Sequence, residues 1–371
     1  MSASMSNRSP RPAWSIAAGA ALSCVTLAGL AAPALAGPQR PAGIIVFPRV
    51  EVDTTRNVDT TIEISNTRSD GPVTLFCYHV DGLGHCSNTD VVCRNDADCP
   101  FAGTCIPTCT EQDFIVQLTP NQAIRWRASQ GLVSLPLPAN QGAVPPVPTD
   151  PFFGELRCVE SDGFSPPVPA GRNDLIGTAT IMHSDPPDAA SYAAIGIEST
   201  GTNNGDNVLC LGANESGLCA VGEYARCPGV LVLNHVFEGA TVDAATVSTD
   251  LTLVPCSERF DVFPIGATNT VQVIVFNEFE ERLCTTLSLG CIGDIHLADS
   301  PIFSVGLQGS LVGQTRMRAV LGNELDTGHA VVGVSLARYT LPDGSRHSSA
   351  HNLQRQSDPE QADVVRLPVI P

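Results

Sequence analysis

Apolar and polar side chains alternate singly in several short stretches of this chain. In Asp59-Thr60-Thr61-Ile62-Glu63-Ile64-Ser65-Asn66, Ile62 and Ile64 share one face, and Glu63 and Ser65 take the other. A period of two marks a half-buried strand. Asn66 to Pro72 then supplies turn chemistry: Asx side chains, Gly71 for positive φ and Pro72 for fixed φ. Strand character resumes over Val73-Thr74-Leu75-Phe76-Cys77-Tyr78-His79-Val80. Further strands are expected at Ile44 to Phe47, Phe152 to Val159, Asn173 to Met182, Tyr192 to Ile197, Val230 to Leu233 and His235 to Phe237. No long stretch shows the 3.6-residue period of an amphipathic helix.

The pattern is echoed near the other end. Thr270-Val271-Gln272-Val273-Ile274-Val275-Phe276-Asn277 is again an alternating strand closed by Asn, and Arg282 to Ser288 follows it as Val73 to Val80 follows the first. Phe114 to Leu118 with Arg125-Trp126-Arg127-Ala128 matches Phe303 to Leu307 with Arg316-Met317-Arg318-Ala319. Leu175 to Ala179 matches Val331 to Ser335. The shared order predicts an old duplication and an all-β fold of two sandwich-like, immunoglobulin-like modules. The first spans residues 37–200, with a small disulfide-rich insert at 86–109 and a Pro-rich surface loop at 135–151. Residues 201–247 connect it to the second module at 248–345. After Pro342-Asp343-Gly344 the chain turns polar and unpatterned, so 346–371 is expected to be a mobile tail.

Composition narrows the class. Of 371 residues 43% are hydrophobic and only 16% charged, and 32 Gly with 29 Pro suit many turns between short strands. Net charge is −18, and every basic residue is Arg. Nucleic acid and anionic membrane surfaces both need a positive face, so neither is expected as a partner. Without Lys, Schiff-base chemistry is excluded. At the N-terminus, Arg8 and Arg11, an apolar stretch from Trp14 to Leu30 and Ala34-Leu35-Ala36 read as a signal peptide over 1–36. Lipidation at Cys24 is the competing reading, but Ala21-Leu22-Ser23 suits it poorly. No later run reaches the roughly 18 apolar residues of a membrane span. The expected location is secreted or periplasmic.

Export and 14 Cys together predict disulfides. Cys86, Cys93, Cys99, Cys105 and Cys109 crowd into the insert, which has too little apolar material to fold on a core. The pairs expected there are Cys93–Cys105 and Cys99–Cys109. A Cys77–Cys86 bridge is expected across the turn at Asp81 to Gly84. Thr285 to Leu289 should continue as strand, which at about 3.3 Å per residue holds Cys284 and Cys291 roughly 20 Å apart, whereas a disulfide needs Cα atoms within about 7 Å. Cys291 is therefore assigned to Cys256, with Cys158–Cys227 and Cys210–Cys219 completing the set. Cys284 is left as the free thiol.

Asp59 to Thr67, Phe153-Gly154-Glu155-Leu156-Arg157-Cys158 and Asn277-Glu278-Phe279-Glu280 resemble segments of exported bacterial β-rich proteins of unknown function. The resemblance covers most of the chain beyond the leader and implies no activity. The insert, Cys93 to Pro100 with Cys105, resembles the Cys-rich repeats of secreted proteins and part of a whey-acidic-protein core. That core needs an adjacent Cys pair, which is missing, so inhibitor activity is not implied.

Candidate chemistry is sparse. Asp90, Asn95, Asp96 and Asp98 are hard oxygen ligands of the kind Ca²⁺ takes, but no Glu closes the loop, and solvated turns are the simpler reading. The Cys cluster could hold Zn²⁺ only if reduced. Glu278, Glu280 and Glu281 form the densest acidic group, and Glu278 and Glu280 would share a strand face. Such a pair could serve glycoside hydrolysis, though a solvated edge is commoner. No His-Glu-x-x-His or Gly-x-Ser-x-Gly motif is present, and His347 and His351 fall in the expected tail. Asn214-Glu215-Ser216 is a glycosylation sequon. The reading is a non-enzymatic binding or structural protein with an extracellular ligand or protein partner. It has no assigned catalytic residue, cofactor or metal. A hydrolase using acidic residues near Glu278 and Glu280 is the alternative.

Overall fold

The computed structural model describes residues 40–132, 143–163, 169–213, 219–261, 269–320, 330–356 and 363–368. The leader with Cys24 and the sequon at Asn214 lie outside them, as does part of the Pro-rich segment. Among the described residues the fold is nearly all strand, with one short α-helix at Val305–Gln308 and a few 3-10 turns. No helix among these residues is long and apolar enough to cross a membrane.

Two pairs of sheets account for most of the chain. In the first half, one sheet has the order Ile195–Ile197, Ile44–Val52, Phe152–Ser161, Val73–Asp81, Glu111–Leu118. Its partner runs Pro187–Ala193, Leu175–Ser184, Val58–Asn66, Ala123–Arg127. In the second half, Arg282–Leu289, Asn269–Asn277, Val312–Val320, Val230–Val236 and Gln354–Gln356 form one sheet. Thr241–Val242, Ala245–Pro255, Val331–Thr340 and Arg346–Asn352 form the other, with Gly293–His296 on the free side of Ala245–Pro255. The neighbours within these four sheets are antiparallel. The Val230–Val236 strand, assigned to the connector by sequence, is thus an inner strand of the second pair.

Strands Ile44–Val52, Val73–Asp81 and Phe152–Ser161 are buried at every position. Alternation explains how. Ile45, Phe47, Leu75 and Cys77 enter a core between the first two sheets, while Ile44, Val46, Phe76 and Tyr78 enter a second core on the far side. Successive side chains on a strand point to opposite faces, so a sheet covered on both sides shows no polar row. The far-side core also takes Leu209 and Leu211, Val254, Val332 and Val365, and the first core takes Val334, Leu336 and Ala350. Both halves therefore share apolar interior, and the described residues form one compact unit.

The echo has a structural counterpart in register. Val58–Asn66 pairs with Ala123–Arg127 so that Ile62 faces Trp126. Asn269–Asn277 pairs with Val312–Val320 so that Val273 faces Met317. These are the pairs the sequence echo equates. The closing Asn residues also act alike. Asn66 Nδ2 donates to the Gly71 and Thr119 carbonyls at 3.2 and 2.9 Å. Asn277 Nδ2 donates to the Gln308 carbonyl at 3.0 Å, and its Oδ1 accepts the N–H groups of Phe279 and Glu281.

Other parts of the echo differ. Val58–Asn66 and Val73–Asp81 lie in different sheets, an arch, whereas Asn269–Asn277 and Arg282–Leu289 pair directly as a hairpin. Phe114 to Leu118 is strand, but Phe303 to Leu307 is a helical turn. Leu175–Ser184 flanks Val58–Asn66, yet Val331–Thr340 lies in the sheet opposite Asn269–Asn277.

Two further expectations are corrected. The tail is ordered where it is described: Arg346–Asn352 pairs with Val331–Thr340, and Asp363–Arg366 with Val208–Leu211. Backbone pairing and cross-half bonds replace the missing apolar pattern. Ser348 donates from both N–H and hydroxyl to the Asp188 carboxylate, and Asn352 Nδ2 donates to the Ala193 carbonyl at 2.8 Å. The Pro-rich segment is not all surface either. Val147 N–H donates to the Ala128 carbonyl at 2.9 Å, and Val144 and Val147 are buried in the first core.

Six disulfides form among the described residues. Cys93 bonds Cys105 and Cys210 bonds Cys219. Cys77 bonds Cys158, not Cys86, because the two face each other in register on neighbouring strands. Cys86 instead bonds Cys99. Cys109 leaves the insert and bonds Cys291, so neither Cys99–Cys109 nor Cys256–Cys291 forms. Cys227 bonds Cys256, not Cys158 as its partner. Cys284 is free and exposed on Arg282–Leu289.

A buried ion network joins the halves. Arg49, 1% exposed, donates to Glu51 at 3.0 Å within the first half. Across the junction it donates to Thr252 Oγ1 at 2.9 Å, Asp294 at 3.0 Å and Asp250 at 3.4 Å. Arg94 of the insert donates to Glu51 at 2.8 Å and lies 3.5 Å from Asp294, and both guanidinium groups sit over the Phe153 ring. Arg338 and His296 complete the ring of partners around Asp250. Burial alone would push Glu51 up, but Arg49 and Arg94 outweigh it and hold its pKa at about 2. Desolvation of such a network can offset its Coulombic gain, so its net contribution to stability is small beside the cost of removing one partner.

Candidate binding cleft

The inward rows of the second pair of sheets change character along their length. On Val230–Val236, Leu231 and Leu233 face the interior, and His235 is next in the same row. On Ala245–Pro255 the row runs outward from Leu253 and Leu251 to Thr249 and Val247. On Val331–Thr340 it runs outward from Gly333 to Ser335, Ala337 and Tyr339. The inner end is packed by Leu231, Leu251, Leu253, Val271, Val273 and Met317. Towards the outer end, small and polar residues leave a cleft of about 560 Å³ between the sheets. That is the usual size range for a small-molecule site.

Register sets its lining. Thr249, Ala337 and Ser349 form one row across three strands, and Ser335 with His351 forms the next. Facing them are Leu233, His235 and Gly313, and Gln314 lies at the edge. Gly313 is required here: a Cβ would stand 2.2 Å from the Phe237 ring and 2.6 Å from the Phe276 carbonyl.

His235 is buried and committed. Its Nδ1 lies 3.2 Å from the Val236 carbonyl, so this nitrogen carries the proton and donates. Nε2 then accepts from the Thr315 hydroxyl at 2.8 Å. Burial pushes its pKa down to about 4, against the Val236 hydrogen bond, so the imidazole is neutral at ordinary pH. Phe237 and Phe303 hold the ring edge-on. Thr249 differs. Its N–H donates to Glu238 Oε1 at 2.6 Å, but its buried hydroxyl has no partner. Leaving a buried hydroxyl unpaired costs about 1–3 kcal/mol.

Of the acidic residues singled out by sequence, Glu278 lines this cleft and Glu280 does not. They do not share a strand face, because both sit in the turn after Asn277, where Glu280 has φ of 63°. The lining thus presents one carboxylate, whereas glycoside hydrolysis uses two flanking the scissile bond. His351, assigned to a tail by sequence, lies instead on a strand that lines the cleft.

The insert supplies no comparable site. Asp98 accepts the N–H of Arg94 at 2.7 Å and of Asn95 at 3.4 Å, and Asp96 accepts that of Cys105 at 2.8 Å. These carboxylates cap turns. The sulfurs of Cys86, Cys93 and Cys99 lie within 4.8 Å of one another, but all three are bonded in disulfides. A smaller cleft of about 360 Å³ separates the insert from the Leu287 to His296 segment; on its walls Arg94 pairs with Asp294, His296 with Asp250, and Asp96 accepts the Cys105 N–H, while Asp299 adds a further carboxylate.

Sequence reasoning missed the cleft residues Thr249, His235, Ser335 and Tyr339. The available signal was the replacement of branched apolar residues by small or polar ones at inward positions of otherwise regular strands. No protein-family model matches the chain, and no curated protein matches it.

Proposed function

We propose that this disulfide-rich all-β chain is an exported, non-enzymatic binding protein whose ligand enters the cleft between the second pair of sheets. The observation that carries the reading is the buried, unpartnered Thr249 hydroxyl beside a cleft of ligand size. Export is supported by the pattern of residues 1–36 and by six disulfides, which persist in oxidising compartments. The single carboxylate of the lining, Glu278, favours binding over hydrolysis.

The test is a thermal-shift screen of the mature chain against small apolar, polar and sugar ligands, run beside glycan and peptide turnover assays. A ligand at 100 times its Kd stabilises the folded state by about 2.7 kcal/mol. Shifts should appear in the wild type and vanish in Ala337→Trp, which fills the cleft. Turnover abolished by Glu278→Gln would reverse the assignment in favour of a hydrolase.

A further inference from the structure

We infer that the cleft takes an uncharged amphiphile, a molecule with one neutral hydroxyl or carbonyl head and an aliphatic body. This rests on the binding reading above. Four observations converge on it.

First, the inner part of the lining offers no charge to pair with. Among the described residues of the lining, Glu278, the one carboxylate, and His351 are exposed at the edge, His235 is committed to Val236 and Thr315, and there is no Arg. An ion drawn inside would lose its hydration without a counter-charge, which costs several kcal/mol. Second, the walls are largely apolar: Leu233, Val236, Val247, Val312 and Ala337, with the Tyr339 ring. Third, the uncommitted polar group of the inner wall is the Thr249 hydroxyl. His235 is engaged on both nitrogens, and Asn277 is spent on its own turn and on the Gln308 carbonyl. A turn of about 120° about the Thr249 χ1 carries the hydroxyl to another staggered position. A neutral head on the cleft side would thereby collect the missing hydrogen bond.

Fourth, exposed apolar side chains adjoin the lining. Phe279 is 64% exposed, Leu307 55%, Leu311 52% and Val312 45%. Val312 itself lines the cleft, Leu311 precedes it and Phe279 follows the lining residue Glu278. The Asn277–Gln308 hydrogen bond ties the Phe279 turn to the segment that begins at Leu307. Exposed apolar side chains clustered about a cleft in this way suit a binding site. It extends the apolar walls outward and suits a body longer than the cleft is deep.

The experiment holds the body constant and changes the head. 1-Octanol, octanoate and octylammonium are titrated calorimetrically into the mature chain, with cellobiose as a polar control. 1-Octanol should bind about tenfold or more tighter than either ion. Thr249→Val should weaken 1-octanol about fivefold, the usual worth of one hydrogen bond. Ala337→Trp should abolish binding, and Ser349→Trp fills the same space if that variant does not fold. Octanoate or octylammonium binding as tightly as 1-octanol overturns the inference, as does 1-octanol binding that survives both Trp variants. Cellobiose binding that the Trp variants abolish, without octanol binding, overturns the ligand class and leaves the cleft reading standing. Failure of every probe at millimolar concentration overturns both.

Discussion

The two pairs of sheets set Ile62 against Trp126 and Val273 against Met317 in the same antiparallel register, yet they are filled differently. Between the first pair, Phe47, Ile62, Ile64, Trp126 and Phe152 pack the space, with Val144 and Val147 added from the Pro-rich segment. Between the second pair, Phe237 and Phe303 still pack around His235, but on the facing sheet Leu251 is followed by Thr249, Ser335 and Ala337. Protein interiors are close-packed, so side-chain volume at inward positions decides whether two sheets enclose a core or a cleft. Strand order and register leave that choice open. Two pairs of sheets that share a strand register can therefore differ, one kept as a closed support and the other opened by smaller side chains at a few inward positions.

Truncation gives the largest contrast. Trp126 is 3% exposed within the closed interior, so Trp126→Ala should cost about 3–5 kcal/mol. Tyr339 is half-buried at the mouth of the cleft, so Tyr339→Ala should cost about 1 kcal/mol or less. Urea denaturation of both variants measures this directly. Similar losses for the two would mean that the second interior is as closed as the first.

Acid titration sharpens the same comparison at a smaller scale. Each half buries one His whose burial pushes its pKa down to about 4: His79, opposed by Gln112, and His235, opposed by the Val236 carbonyl. Unfolded His titrates near 6.5. Below that pH the unfolded chain binds protons that the folded one refuses. The stability from each neutral His is thus complete above about pH 6.5 and falls towards pH 4, by at most about 1.4 kcal/mol per pH unit. Glu111 and Glu160, pushed up to about 7 chiefly by burial, act with the opposite sign in this window. They cancel when wild type is compared with His79→Leu or His235→Leu. The stability advantage of wild type over each variant should shrink on acidification from pH 7 to 4. A slope for His79 alone would mean that water reaches His235, and would widen the difference between the interiors.

Much of the strand content was legible in sequence because one wet face leaves an alternating row, as at Ile62 to Ser65 and Val271 to Val275. The complete burial of Val73–Asp81 was not, since its second face is covered by residues as distant as Val254 and Val332. Disulfide partners were legible mainly where the chain is short. Cys93–Cys105 and Cys210–Cys219 span 12 and 9 residues, whereas Cys77–Cys158 and Cys109–Cys291 span 81 and 182 and depend on sheet order. Cys86–Cys99 spans only 13 and was still missed, because spacing alone does not choose among five crowded Cys. The strand at Arg346–Asn352 was hidden because its stabilising partners are backbone groups and Asp188, which leave no hydrophobic pattern. The cleft could not be seen without knowing which strands face each other.

The smallest expected effect concerns the hairpin that has no counterpart in the first half. Arg282–Leu289 is an edge strand in the second half, and Cys284 on it is exposed, while Cys77, on the strand that occupies the corresponding place in the sequence echo, is buried and bonded to Cys158. A thiol reagent added to the native mature chain should therefore modify one residue, Cys284, within minutes and leave stability unchanged to within about 0.5 kcal/mol, the usual range for a surface change. Peptide mapping identifies the labelled position. Modification at Cys77 or Cys158 would mean that the disulfide joining them across the first sheet is not formed, because a thiol reagent does not alkylate bonded sulfurs. Protection of Cys284 would show that this edge is covered by something other than the described residues, which leave it exposed.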